Sequence, residues 1–207
     1  MDERVIKHYW HYFCSLCEQL DKTRQYVEHH AMSDSNNPHF ENGKTYSNEF
    51  MKILLATASE FETVGKLLCK EIDSQLPTCG NIVKISDTIL KKFPNIGKTQ
   101  VFSDYATFLP LANWKIEPDK YGNSTVCGLE WWRIYTELKH SRYVSFPKAN
   151  LENCIYALAS LLVLELYLAM QALGSVSSLS GRCPYFHFRY GHEQLWVRCP
   201  DNLPDFG

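Results

Sequence analysis

The densest gathering of groups able to move protons and hold anions lies in the run WWRIYTELKHSR, residues 131–142. At about 100° per residue on a helix, Arg133, Thr136, Glu137 and His140 share one stripe, while Trp131, Ile134, Tyr135 and Leu138 share the opposite one. The apolar stripe is expected to face a core and the polar stripe to meet solvent or a partner, with Lys139 and Arg142 adding positive charge beside it. Arg142 would turn toward the apolar side if the helix ran on unchanged, so either the helix distorts there or Arg142 makes a buried hydrogen bond. Such a set suits RNA scission, in which a 2′-hydroxyl is deprotonated, attacks the adjacent phosphorus, and the leaving 5′-oxygen is protonated. An imidazole exchanges the proton, and guanidinium and ammonium groups hold the phosphate and stabilise the charge that builds on its oxygens. The alternative is a solvated helix face on which Arg133 and Glu137 form an ion pair worth about a few tenths of a kcal/mol.

Two His/Cys groups compete as metal ligands. His8, His11, Cys14 and Cys17 recur every third residue, but on a straight helix successive members rotate by about 60°, so a pair can converge on one ion and all four cannot. Cys183, His187, His192 and Cys199 flank a segment of strand-like alternation, although their spacing matches no standard zinc unit. His29, His30 and His39 fall at a helix end and in a loop, where solvated histidine is ordinary, and receive no role. Glu60 and Glu62 sit two apart on a helix and face different ways, which argues against a paired-carboxylate mechanism and leaves Glu60 to cap or pair with a neighbouring helix. No phosphate-cradling glycine loop, dinucleotide fingerprint or nucleophile elbow is present. Tyr185, Phe186, Phe188, Tyr190 and Trp196, interleaved with Arg182, Arg189 and Arg198, have the composition of a single-strand RNA clamp, or of a strand pair packed on the domain.

The elements that must position these residues are mostly helical. Residues 5–31 carry Val5, Tyr9, Tyr12 or Phe13, Leu16, Leu20 and Val27 at helical spacings with no Gly or Pro between them, which predicts one long amphipathic helix. The stretch SDSNNPHFENGKTYS that follows is a loop by composition. From Ser47, an N-cap residue, Phe50, Ile53, Leu54, Thr57, Phe61, Val64 and Leu68 mark a second helix that ends before Pro77. Ile82, Ile85, Ile89 and Phe93 mark a third, stopped at Pro94. Residues 97–128 read as irregular, 129–142 as helix, and 149–173 as a helix apolar on nearly every side, closed by Gly174 and therefore central. Beyond a Ser/Gly-rich joint at 174–181, Phe186, Phe188 and Tyr190, then Leu195, Val197 and Cys199, alternate as in a small hairpin.

Composition sets bounds on all of this. The 207 residues, 45% hydrophobic and 21% charged, suit one globular domain with a small appendage and not a disordered chain. With 21 basic and 23 acidic residues the net charge is -2, so any nucleic-acid contact must be local. The longest apolar block, 154–164, falls short of the roughly 20 residues that span a bilayer and reads as a buried helix. The opening MDERVIKHYW lacks the pattern of a secretory signal, and eight scattered cysteines in a chain able to build its own core fit reduced thiols, so a cytoplasmic location without membrane attachment is expected.

The run WWRIYTELKHSRYVSFPKANLENCIYALASLLVLELYL resembles the terminal helices of HEPN proteins, an all-helical superfamily of mostly prokaryotic toxins and defence factors. YWHYFCSLCEQLDKTRQYVE and TYSNEFMKILLATASEFETVGKLLCKEI resemble its opening helices, so the similarity covers residues 9–168. RNA-cutting members carry an Arg, four to six intervening residues and a His; here Arg133 and His140 enclose six. The residue after that Arg is commonly polar and is Ile134 here, and the YN pair that precedes a KHxR element in the similar subgroup is Tyr135-Thr136. Lys139, His140 and Arg142 match the subgroup's element, leaving Arg133 and Arg142 as alternative functional arginines. The resemblance implies an all-α HEPN-like bundle over residues 1–173 with a 174–207 appendage. It also implies endoribonuclease activity that needs no metal or cofactor, and a homodimer with a composite cleft. RNA is then the substrate, a cognate antitoxin or defence-system protein a further partner. Other members are inactive or bind nucleotides, which keeps a non-catalytic, dimerising binding module as the second expectation.

Overall fold

The computed structural model describes residues 1–32, 38–75, 80–103, 106–176, 179, 183, 185, 186, 197 and 198. Among them are five α-helices: α1 (Glu3–Lys22), α2 (Asn48–Ile72), α3 (Ile82–Lys92), α4 (Glu130–Ser145) and α5 (Leu151–Leu173). The starts of α1, α2, α3 and α5 follow from short polar side chains that satisfy first-turn N–H groups. Asp2 accepts from Arg4 N at 2.8 Å, Ser47 from Phe50 N at 3.1 Å, Asn81 from Lys84 N at 3.0 Å, and Asn150 from Asn153 N at 3.1 Å. Gly174, at φ 69°, closes α5 by donating to Met170 O.

The protein is mainly helical, and α5 is its axis. Its Ile155, Leu158, Leu161, Leu162 and Leu166 are buried, and it packs against α1, α2 and α4, with α3 packed on α2. By length and composition α5 would also cross a membrane, but 89% of its most apolar stretch is buried inside the bundle, as the sequence predicts for a core helix. Two indoles fasten the bundle through otherwise buried hydroxyls: Trp131 Nε1 donates to Ser160 Oγ (3.1 Å) and Trp114 Nε1 to Ser86 Oγ (3.0 Å). Phe61 of α2 meets Trp131 edge-on, ring centroids 4.9 Å apart.

Three expectations need correction. The first helix ends at Lys22 instead of reaching residue 31; the Thr23 hydroxyl donates to Leu20 O (2.7 Å), the chain tightens into a 3-10 turn over Thr23–Gln25, and Thr23 Oγ1 also meets the buried His29 Nε2 at 3.0 Å. The fourth helix continues past residue 142 to Ser145, with a break inside it. Residues 97–128 are not irregular throughout. They contain β1 (Gln100–Phe102), β2 (Thr107–Phe108), β3 (Lys115–Pro118) and β4 (Ser124–Cys127). The β3–β4 pair is an antiparallel hairpin, Lys115 opposite Cys127 and Pro118 opposite Ser124. Its turn is held by the Asp119 carboxylate, which accepts from Tyr121 N (2.8 Å) and Asn123 N (2.9 Å). Gly128 ends the hairpin at φ 82°, where a Cβ would lie 1.7 Å from Asn113 O, so only glycine lets the chain enter α4 here.

A second sheet, separate from the β3–β4 hairpin, takes in residues 197 and 198. Val197–Arg198 (β5) pairs antiparallel with β1 to give the order β2-β1-β5, and Phe186 bridges to Ser103. Tyr185 and Phe186 are buried in the same core as the helices. Phe188, Tyr190, Leu195 and Cys199 of the expected hairpin lie outside the described residues.

Candidate active site on the fourth helix

Helix α4 presents the two faces that its sequence predicts. Trp131, Ile134, Tyr135 and Leu138 are buried, while Arg133, Thr136 and His140 are exposed and Glu137 is partly so. At residue 141 the helix breaks: Ser141 adopts φ -142°, ψ 54°. A continuous helix would have aimed Arg142 along the buried row of Tyr135 and Leu138. The break turns it to solvent instead, which selects distortion over a buried hydrogen bond. Tyr143 and Val144, apolar residues that follow it, are 96% and 75% exposed.

The four candidate residues differ in what already holds them. Arg133 is gripped by two carboxylates, its Nε donating to Glu130 Oε2 at 3.0 Å and its terminal nitrogens to Glu130 and Glu137. The guanidinium keeps Glu130 below the usual carboxylate range, and Glu130 in turn raises Arg133. Lys148 reaches Glu137 from beyond the helix at 2.7 Å. This is the ion-paired surface that was the alternative to a phosphate site. Lys139 lies with Nζ 4.9 Å from the centroid of the Tyr135 ring. The side chains of His140 and Arg142 make no hydrogen bond or ion pair with another described residue. Arg133 and His140, seven positions apart, are also separated by about 10 Å along the axis, whereas Lys139, His140 and Arg142 are near neighbours in the chain.

The other groups singled out in the sequence are dispersed. His8 and His11 are exposed while Cys14 and Cys17 are buried, and burial pushes the Cys14 thiol up to about 12. Among the described residues no three His, Cys, Asp or Glu side chains are grouped to hold a metal; His187, His192 and Cys199 lie outside them, as do Arg182, Arg189, Tyr190 and Trp196. Glu62 pairs with Lys66 within its own helix at 2.7 Å, while burial raises Glu60.

A constellation unmarked in the sequence joins His39, Lys44 and Glu152. Glu152, 8% exposed, accepts from His39 Nδ1 at 2.7 Å and Lys44 Nζ at 2.6 Å. The partners are 113 and 108 residues apart, so no local spacing could have announced them; the nearest signal is a carboxylate in the first turn of an otherwise apolar helix. Set against protein-family models, curated proteins and solved structures, the chain gives no match.

Proposed function

We propose that the chain is a metal-independent endoribonuclease of the HEPN type, working as a cytoplasmic homodimer in a toxin or phage-defence setting. One observation carries the reading: His140 and Arg142 stand exposed and without described partners on either side of the Ser141 break, beside Lys139, on a helix whose other face is locked in the core. Exposed basic groups with no described carboxylate partner suit a phosphodiester. His140 takes the 2′-hydroxyl proton as the 2′-oxygen attacks phosphorus and gives that proton to the departing 5′-oxygen, leaving a 2′,3′-cyclic phosphate and a 5′-hydroxyl end. Arg142 and Lys139 hold the non-bridging oxygens. Arg133, already committed to Glu130 and Glu137, is assigned a structural part.

A second reading, a non-catalytic dimerising module, is favoured by the exposed Tyr143 and Val144, which make the end of α4 an apolar surface beside the basic one. Labelled RNA incubated with the protein in chelator separates the two. Cleavage to 5′-hydroxyl products that is lost in His140→Ala with the helical circular dichroism intact supports the nuclease. Binding without cleavage, or cleavage that survives His140→Ala, overturns it.

A further inference from the structure

The loop carrying His39 and Lys44 is tied down on several sides. Met32 N donates to His39 O (2.7 Å), Glu41 N to His30 O (3.1 Å), and the first-turn N–H groups of Glu152 and Leu151 to Gly43 O and Thr45 O (3.0 Å each). Tyr156 Oη donates to Pro38 O at 3.1 Å. Gly43 is where loop and α5 come closest, since a Cβ there would lie 3.1 Å from Glu152 Oε2 and 3.0 Å from Phe40 O. His39 is therefore a surface histidine on a fixed frame.

Its tautomer follows from its partner. A carboxylate only accepts, so the Nδ1 that meets Glu152 carries the proton, and Nε2 is left as an acceptor in the neutral ring or a second donor in the charged one. The His39 side chain is 77% exposed and lines a cavity of about 410 Å³ together with Lys44, Asn113, Leu109, Pro110 and Trp131. Lys44 has three N–H donors, of which Glu152 takes one. Glu130, also on the cavity wall, is committed to Arg133. A surplus of donors thus faces the cavity: two on Lys44 and one on protonated His39, against three terminal oxygens on a phosphate monoester.

The geometry points to a ligand site in this cavity for a small organic phosphate monoester, its phosphate held by Lys44 and the Glu152-oriented His39, its apolar body against Leu109, Pro110 and Trp131. The cavity has the size of ordinary small-molecule pockets. Lys44 and a charged His39 carry two positive charges and Glu152, which fixes the imidazole, cancels one, so one net positive charge is left to meet the phosphate. The site is independent of the nuclease reading, because it uses neither His140 nor Arg142.

The test is a titration of the intact protein with phenyl phosphate and, separately, inorganic phosphate, following the His39 imidazole nitrogens and the Trp131 indole by NMR. Phenyl phosphate should give a saturable shift at both residues, and inorganic phosphate, lacking a body, should bind about tenfold more weakly. Because Glu152 is buried beneath His39 and Lys44, the exposed partners are varied instead: His39→Gln and Lys44→Met should each weaken phenyl phosphate by about tenfold or more with unchanged circular dichroism. No saturable shift up to about 20 mM phenyl phosphate, equal affinity for the two probes, or affinity indifferent to both substitutions would overturn the site.

Discussion

Arg133 and Arg142 sit on one helix with one charge each, and what surrounds them separates their roles. Releasing Arg133 to bind a phosphate means giving up Glu130 and Glu137, whereas Arg142 has no such bond to break among the described residues. Arg142→Ala should therefore lower RNA binding and cleavage by about tenfold or more, as loss of a charge-assisted phosphate contact does. Arg133→Ala should change both by less than about twofold and stability by under about 1 kcal/mol, the scale of exposed ion pairs. Cleavage rates and salt-dependent binding of the two variants, measured side by side, check this; equal damage from both would return Arg133 to the phosphate. The sequence exposes this helix face because it is local, each residue within two turns of the next. It leaves Arg142 ambiguous because the outcome depends on a backbone break at Ser141, and it misses the His39–Glu152 contact because loop and helix meet through tertiary packing.

Helix α5 shows what an element contributes. Leu162 and Leu166, 1% and 0% exposed, lie one turn apart on the helix that α1, α2 and α4 all touch. Either Leu→Ala change should cost about 2 to 5 kcal/mol, combining lost transfer energy with a cavity the surrounding helices cannot close. Denaturant unfolding monitored by circular dichroism measures it, and near-neutral values for both would make α5 peripheral. The same apolar periodicity makes α2, α3, α4 and α5 legible in the sequence, with Ser47 and Gly174 marking ends that the structure reproduces. The strands are less legible because β3 and β4 are four residues each, largely unburied, and carry Lys115, Glu117 and Pro118, so hydrophobic alternation is almost absent. The overlong first helix has a different origin. Residues 5–27 keep a helical period, but the Thr23 hydroxyl finds Leu20 O and His29, and those local bonds compete with continued helix.

At the scale of the whole molecule, Tyr143 and Val144 leave an apolar surface beside the proposed catalytic group, so sedimentation should show a dimer at micromolar concentration that Tyr143→Asp weakens; a strict monomer would remove the composite cleft. Stability against pH tests the interior as a whole, because two buried groups titrate with opposite sign. His29, fully buried, is lowered from 6.5 to about 4 by burial and then by Arg24. Between those values the unfolded chain binds a proton that the native state refuses, so stability falls as pH falls, by about 1.4 kcal/mol per unit. Glu165, in the middle of α5, is fully buried, neither of its oxygens has a hydrogen-bond partner among the described residues, and burial, then Glu60, raises it well above its ordinary 4.5. Above 4.5 the native state keeps a proton that the unfolded chain has lost, so stability falls as pH rises, with the same slope, until the folded group ionises. Between 4.5 and 6.5 the two slopes oppose each other and the native protein should show a flattened stability maximum, whereas above 6.5 the Glu165 loss stands alone. Glu165→Gln keeps the shape and removes the charge, so its advantage over the native protein should be smallest near pH 4.5 and grow toward pH 8. Thermal unfolding of both proteins across that range reads the difference directly, and parallel curves would mean that Glu165 is not the proton that the interior retains.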